Sequence, residues 1–264
     1  MRQRGLTLVE LLVAMLLFTV LGASGFAAWA RGNAAWHEAS LEQLLHERAQ
    51  YVFGTLEPEL QMAGYFGDSP PPSMLAAGSV PLAAQSCGLD LIRRLDVPVE
   101  VAASYDLPCA ARGGAVASSQ QLTIRRASSH IAAAMSGRAQ WVGNAAAGEL
   151  DWNDAAPAST PASAQRRDLL LRVYYVSREA DGDARTPALR MKSLSSVAGN
   201  PAFIDTEVMP GVEALQAELL PDAGTPRRVR LTLVIRQDQA ELRQGQVRRL
   251  SITREFALRN AAAG

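Results

Sequence analysis

Arg4-Gly5-Leu6-Thr7-Leu8-Val9-Glu10 opens onto residues 11–30, a run with no charge in it. As a helix that run is about 30 Å long, the thickness of the hydrocarbon core of a bilayer. Arg2 and Arg4 precede it, so the positive-inside bias predicts that residues 1–5 stay in the cytoplasm and the remainder is exported, a single-pass, N-in topology. A secretory signal peptide is the competing account, with small residues at Ala23-Ser24-Gly25 or Ala27-Ala28-Trp29 for cleavage. The stretch is longer than the apolar core of such a signal, and Glu10 sits where those signals are uncharged. A carboxylate in a membrane helix costs on the order of 3 kcal/mol at the bilayer centre, less toward the interface, and the helix N-terminal dipole offsets part of it.

The chain has 264 residues, enough for this anchor and one globular region of roughly 200 residues with a real core. Lys and Arg total 26 and so do Asp and Glu, so no overall field recruits nucleic acid or anionic lipid. The only lysine is Lys192. Cys87 and Cys109 lie beyond the anchor, where export would let them pair and close a loop of roughly two dozen residues, worth about 3 kcal/mol; two buried free thiols are the alternative. A metal site would need more ligands than these cysteines and His130 supply, and His37 and His46 are too far apart on one helix to share an ion.

Past the anchor, residues 31–67 read as an amphipathic continuation. Trp36, Leu41, Leu44, Leu45, Val52, Phe53, Leu56 and Leu60 recur at three- and four-residue steps, with Glu38, Glu42, Glu47, Arg48 and Glu57 on other faces. Pro58 is expected to kink this helix or start a fresh turn at Glu59, and Gly64-Tyr65-Phe66-Gly67 to end it. Residues 68–264 form the head. Residues 68–82 and 136–165 are expected to be irregular excursions rich in Pro, Ala and Ser, the second anchored by Trp141 and Trp152, or else offering them to a partner.

Strand patterns dominate the rest. Residues 121–125 alternate, and residues 169–176 pair with 188–191 as a hairpin around the acidic turn Ala180-Asp181-Gly182-Asp183. Asp181, Asp183 and Glu179 fall short of the oxygen count and spacing of a calcium loop. Val229, Leu231, Leu233 and Ile235 alternate with polar residues, as do Leu250, Ile252, Phe256 and Leu258, which predicts antiparallel partners with one face on the amphipathic helix. Arg227, Arg228, Arg248 and Arg249 make the outer edge basic, either a solvated strand surface or a contact for DNA or an acidic partner.

Two resemblances appear. Arg4-Gly5-Leu6-Thr7-Leu8-Val9-Glu10-Leu11 resembles the class III signal of type IV prepilins, with Leu6 where most members have Phe. The resemblance implies cleavage by a prepilin peptidase between Gly5 and Leu6, N-methylation of Leu6, and a Glu10 that pairs with the freed amine of a neighbouring subunit. Leu60-Gln61-Met62-Ala63-Gly64-Tyr65-Phe66-Gly67, the Tyr174-Tyr175-Val176 strand, the segment from Pro210 to Gln216 and the closing Arg254-Glu255-Phe256-Ala257-Leu258-Arg259-Asn260 resemble PilW-type minor pilins, although Asp68 replaces the usual cysteine. That likeness implies an α+β, type IV pilin-like fold: a long N-terminal helix, transmembrane in its first half and amphipathic in its second, packed on an antiparallel β-sheet head in the periplasm. The partners implied are the inner membrane, the major pilin and other minor pilins in a complex that initiates or caps the pilus. A minor pseudopilin of a type II secretion system shares the outline, and a pilus-tip adhesin or DNA receptor is the third expectation. No hydrolase elbow, phosphate loop or His-Glu-x-x-His helix is present, so the chain reads as no enzyme and implies no cofactor.

Overall fold

The computed structural model describes residues 7–152, 163–222, 225–237 and 247–260. The chain divides into two units, residues 1–46 and 47–264, and the helix α1 (Leu8–Gln61) contributes to both. In the first unit every described residue up to Leu44 is exposed or half-buried, and the segment is long and apolar enough to cross a membrane. In the second unit α1 buries Ala49, Val52, Phe53, Leu56 and Leu60, the three- and four-residue spacing of one face. The stripe expected to begin at Trp36 begins later: Trp36 is 67% exposed.

Pro58 starts no new helix. Helix α1 runs on to Gln61, and the Pro58 carbonyl accepts the Met62 N–H at 3.1 Å. A proline deep inside a helix costs about 3 kcal/mol, but this one lies one turn from the end, and Gly54, whose carbonyl the ring crowds, has open space around it. The chain then turns at Gly64 (φ 78°), where a Cβ would come within 2.6 Å of the Asn260 carbonyl, so only glycine fits.

Among the described residues, the head contains a short helix α2 (Leu89–Arg93) and ten strands: β1 (Val99–Ala102), β2 (Gln121–Ala127), β3 (Gln140–Gly143), β4 (Gly148–Asp151), β5 (Gln165–Ser177), β6 (Ala188–Val197), β7 (Asn200–Pro210), β8 (Val212–Asp222), β9 (Thr225–Arg236) and β10 (Arg249–Ala257). Seven form one antiparallel sheet around β5, in the order β1-β2-β5-β3-β4, with β6 also on β5 and β7 on β6. The other three form a sheet β10-β9-β8, in which Leu250, Ile252 and Phe256 stand opposite Ile235, Leu233 and Val229. Gly211 (φ 83°) takes the chain from β7 in one sheet to β8 in the other, passing so near Arg236 that a Cβ would lie 2.7 Å from its carbonyl.

Residues 136–165 are not one irregular excursion. They contain the β3–β4 hairpin, which joins the larger sheet through β3 and β5. Within it Gly148 lies against the Trp141 ring, where a Cβ would come within 2.5 Å, so that position takes glycine. Trp141 and Trp152 are buried, Trp141 edge-on to Phe66 and Trp152 donating its indole N–H to the Ser79 carbonyl at 3.1 Å, so both serve as anchors. One face of the larger sheet, with Leu171, Val173 and Leu194, is covered by α2 and the turns on either side of it through Ala84, Ile92 and Leu95.

The final turns of α1 reach both sheets. Phe53 meets Phe256 with ring centroids 5.8 Å apart, and Arg254, on the inner face of β10, stacks over Phe53 at 5.0 Å. Glu59, 5% exposed, accepts both Arg126 Nη2 at 2.7 Å and Nε at 3.1 Å, while Arg172 Nη1 lies 2.7 Å away. Arg126 is on β2 and Arg172 on β5, so one carboxylate joins the helix to the two central strands. Removing one member of a buried ion cluster leaves the rest uncompensated. Glu59→Gln should therefore cost about 3 kcal/mol in chemical unfolding of the full chain in detergent, followed by tryptophan fluorescence; a loss near zero would mean the triad is solvent-screened.

Candidate functional site

The N-terminal end of α1 is closed by its own side chains. Thr7 precedes the first helical residue, its hydroxyl accepts the Glu10 N–H at 3.3 Å, and the Glu10 carboxylate accepts the Thr7 N–H and hydroxyl, both at 3.1 Å. This is a capping box, in which a Thr and a Glu three residues on each satisfy a donor that the helix leaves orphaned. The Thr-x-x-Glu spacing is plain in the sequence, where Glu10 reads as an assembly residue and Thr7 only as part of an apolar run. The carboxylate keeps lone pairs for a further cation. Gly5 and Leu6, the expected cleavage and methylation positions, lie outside the described residues. From Leu8 onward the large apolar side chains, Phe18 and Leu21 among them, face outward.

In the head, Cys87 and Cys109 are joined by a disulfide with Cα atoms 4.6 Å apart. The loop it closes is seated on a polar cluster. Asp205 on β7 accepts Arg190 Nε at 2.8 Å on one oxygen, and Lys192 Nζ and the Tyr175 hydroxyl, each at 2.7 Å, on the other. Lys192 also donates to the Ala110 carbonyl at 2.8 Å, and Tyr105, whose ring lies 4.8 Å from that of Tyr175, donates to the Cys109 carbonyl at 2.7 Å. Arg190 is fully buried and Lys192 nearly so. The sequence hides this cluster because its members come from separate strands. The one signal was Lys192, a solitary lysine among arginines.

The acidic turn is occupied by the protein itself. Asp181 pairs with Arg190 at 3.0 Å and Arg112 at 3.2 Å, and Asp183 accepts Thr186 Oγ1 at 2.6 Å. Among the described residues, no group of three or more His, Cys, Asp or Glu is placed to hold a metal. The outer face of the smaller sheet is a ladder of ion pairs: Arg228 with Glu255 at 3.1 Å, Arg230 with Glu255 and Glu218 at 2.8 Å each, and Arg249 with Glu213 at 2.5 Å. Of the expected basic edge, Arg228 and Arg249 are thus compensated in place, and such exposed pairs contribute little stability.

Burial alone would raise the Asp205 carboxyl, but the bonds from Lys192, Arg190 and Tyr175 outweigh it and hold the group below the usual range. Burial, then the neighbouring Glu59, pushes the Tyr174 phenol up to about 12, and burial with the Asp205 bond pushes Tyr175 higher still. A depressed carboxyl stabilises the fold above its unfolded value, about 4, and that stabilisation is lost as pH falls through the folded value. The raised phenols act in the opposite sense, stabilising fully below about pH 10 and losing that effect as pH rises through their folded values. Tyr175→Phe should cost about 2 kcal/mol and move the acid-unfolding midpoint to higher pH, because Asp205 loses a donor. Unfolding across a pH series would show an unmoved acid limb if the hydroxyl were idle.

Residues 1–26 match the family described as prokaryotic N-terminal methylation motif. No curated protein and no solved structure matches the chain. A methylation signal at the head of an apolar, membrane-type helix, followed by an antiparallel β-sheet domain, marks a pilin- or pseudopilin-type protein.

Proposed function

We propose that the chain is a minor pilin of a type IV pilus, PilW-like in kind, that assembles with other minor pilins into the complex initiating or capping the fibre and contacts the major pilin there. The observation that carries this reading is the N-terminus, where the methylation motif coincides with an outward-facing apolar helix capped by Thr7 and Glu10. Before assembly the protein sits in the inner membrane with residues 1–5 in the cytoplasm and the head in the periplasm. A prepilin peptidase removes residues 1–5 after Gly5 and methylates Leu6. Glu10 then holds the subunit in register by accepting the amine of a neighbour's Leu6, which neutralises both charges in an apolar surrounding. Its role is assembly, with no catalysis and no cofactor.

The same N-terminus serves a minor pseudopilin of a type II secretion system equally well, and neighbouring genes for pilus or for secretion components separate the two. A DNA-receptor role draws less support, because Arg228, Arg230 and Arg249 of the smaller sheet are already matched by Glu255, Glu218 and Glu213. Intact mass is the first test of the proposal. The mature chain should lack residues 1–5 and carry one added methyl group and two fewer hydrogens for the disulfide. Gly5→Arg should abolish leader removal, and Glu10→Ala should leave cleavage intact while lowering recovery in sheared filaments; normal processing of the Gly5 variant would refute the prepilin assignment.

A further inference from the structure

The register of the larger sheet sorts its side chains onto two faces. Leu122 stands opposite Tyr174, Ile124 opposite Arg172 and Arg126 opposite Leu170, so these residues share the face on which Glu59 of α1 meets Arg126 and Arg172. Continuing outward, Arg172 stands opposite Ser193 and Tyr174 opposite Met191, while Ser193 stands opposite Ile204 and Ser195 opposite Ala202. The α1 face therefore extends over β6 and β7 as Met191, Ser193, Ser195, Ala202, Ile204 and Thr206. All six are exposed or half-buried, and Ile204 is 38% exposed.

The protein supplies its own standard for a sheet surface that faces water. On the outer face of the smaller sheet every strand contributes charge, in the Arg–Glu ladder. On the β6–β7 face none of the six is charged, and residues 193–204 contain no Asp, Glu, Lys or Arg in a chain that is 20% charged. The charges of these strands, Arg190, Lys192, Asp205 and Glu207, lie on the opposite face. A shallow groove of about 160 Å³ runs along the boundary, lined by Leu170, Arg172, Met191, Ser193, Ser195 and Arg138, the last paired with Asp168 at 2.8 Å. Two strands span about 10 Å, the width of one α-helix, and Ser and Ala let a helix approach closely.

We propose that this β6–β7 face seats the helix of a neighbouring pilin-type subunit, lying beside the intramolecular packing of α1 on the same sheet. The occupant's chemistry follows from the face: a helix surface of small and apolar residues without charge, since a charged one would be desolvated here with no partner. This deepens the assembly reading and rests on it. Of the alternatives, DNA or an acidic partner would need unmatched cations, and the two arginines that line the groove, Arg138 and Arg172, are already paired with Asp168 and Glu59.

The test places a photo-crosslinking phenylalanine analogue at Ile204 of the full-length chain in cells that make its filaments, with the same analogue at Thr232 on the charged outer face as control. After irradiation, products are identified by mass spectrometry in sheared filaments and in membranes. The expected product joins position 204 to helix peptides of a pilin-type subunit, about tenfold over position 232. In parallel, Ile204→Glu should reduce the chain in filaments about tenfold with total protein and protease resistance unchanged, whereas Ile204→Ser should not. No product at 204, or a product with any other class of molecule, overturns the proposal. If the chain is nevertheless found in sheared filaments, the assembly reading survives that result; if it is missing from them, both fall. Wild-type recovery of Ile204→Glu would likewise overturn the face.

Discussion

Glu59 meeting Arg126 and Arg172 is the contact that turns a helix beside a sheet into a defined fold. Apolar packing is non-directional: a stripe of Val52, Phe53, Leu56 and Leu60 would sit about as well one turn higher or lower. A carboxylate that must meet two guanidiniums on adjacent strands would not. The triad therefore fixes where along its axis the helix is clamped, and it does so one residue after Pro58, where the ladder of helix bonds is already about to end. Desolvating three charges is costly, so its stabilising worth is smaller than its short distances suggest, and its effect on register is the larger one. Arg254 over Phe53 repeats the device on the smaller sheet, a cation turned inward on an edge strand, which also discourages pairing with foreign strands.

Much of this was legible in the sequence, for reasons that can be stated residue by residue. The charge-free run over residues 11–30 is a local pattern, as are the later part of the expected stripe, Val52 to Leu60, and the alternation that pairs β9 with β10. Hidden from it was everything decided across strands. Arg125 reads as an ordinary strand arginine, yet it is wholly buried, bonded to the Leu91 and Val97 carbonyls and to Glu100. Arg190 and Lys192 look solvent-facing until Asp205 is placed beside them. β3 and β4 escaped notice because they are four residues each and sit among glycines and alanines, Gly148 lying against the Trp141 ring, which mimics the composition of a loop. At the candidate site the capping role of Thr7 was within reach, since Thr-x-x-Glu is a local signal, but the apolar context drew attention to Glu10 alone.

The two sheets divide the charge of the head in different ways. The smaller sheet displays its ions on the outside, already matched, so that surface neither attracts nor repels strongly. In the larger sheet the ions of β6 and β7 lie on the face that carries the disulfide-closed loop, while on the other face Arg126 and Arg172 of β2 and β5 are matched by Glu59 and β6 and β7 add no charge. Formal neutrality of the whole chain thus conceals a segregation that only the strand register exposes.

Lys192 has one more consequence. It is the only lysine in the chain, its side chain is 6% exposed, and its ammonium is held by Asp205 and the Ala110 carbonyl. Of the two primary amines the polypeptide possesses, the folded head conceals one, and the remaining one is the chain terminus. Acylating reagents applied to the native protein would thus address a single atom, the α-nitrogen, and methylation there would turn it from a primary into a secondary amine. The burial of one side chain deep in the β domain makes the chemistry of the opposite end of the polypeptide separately readable.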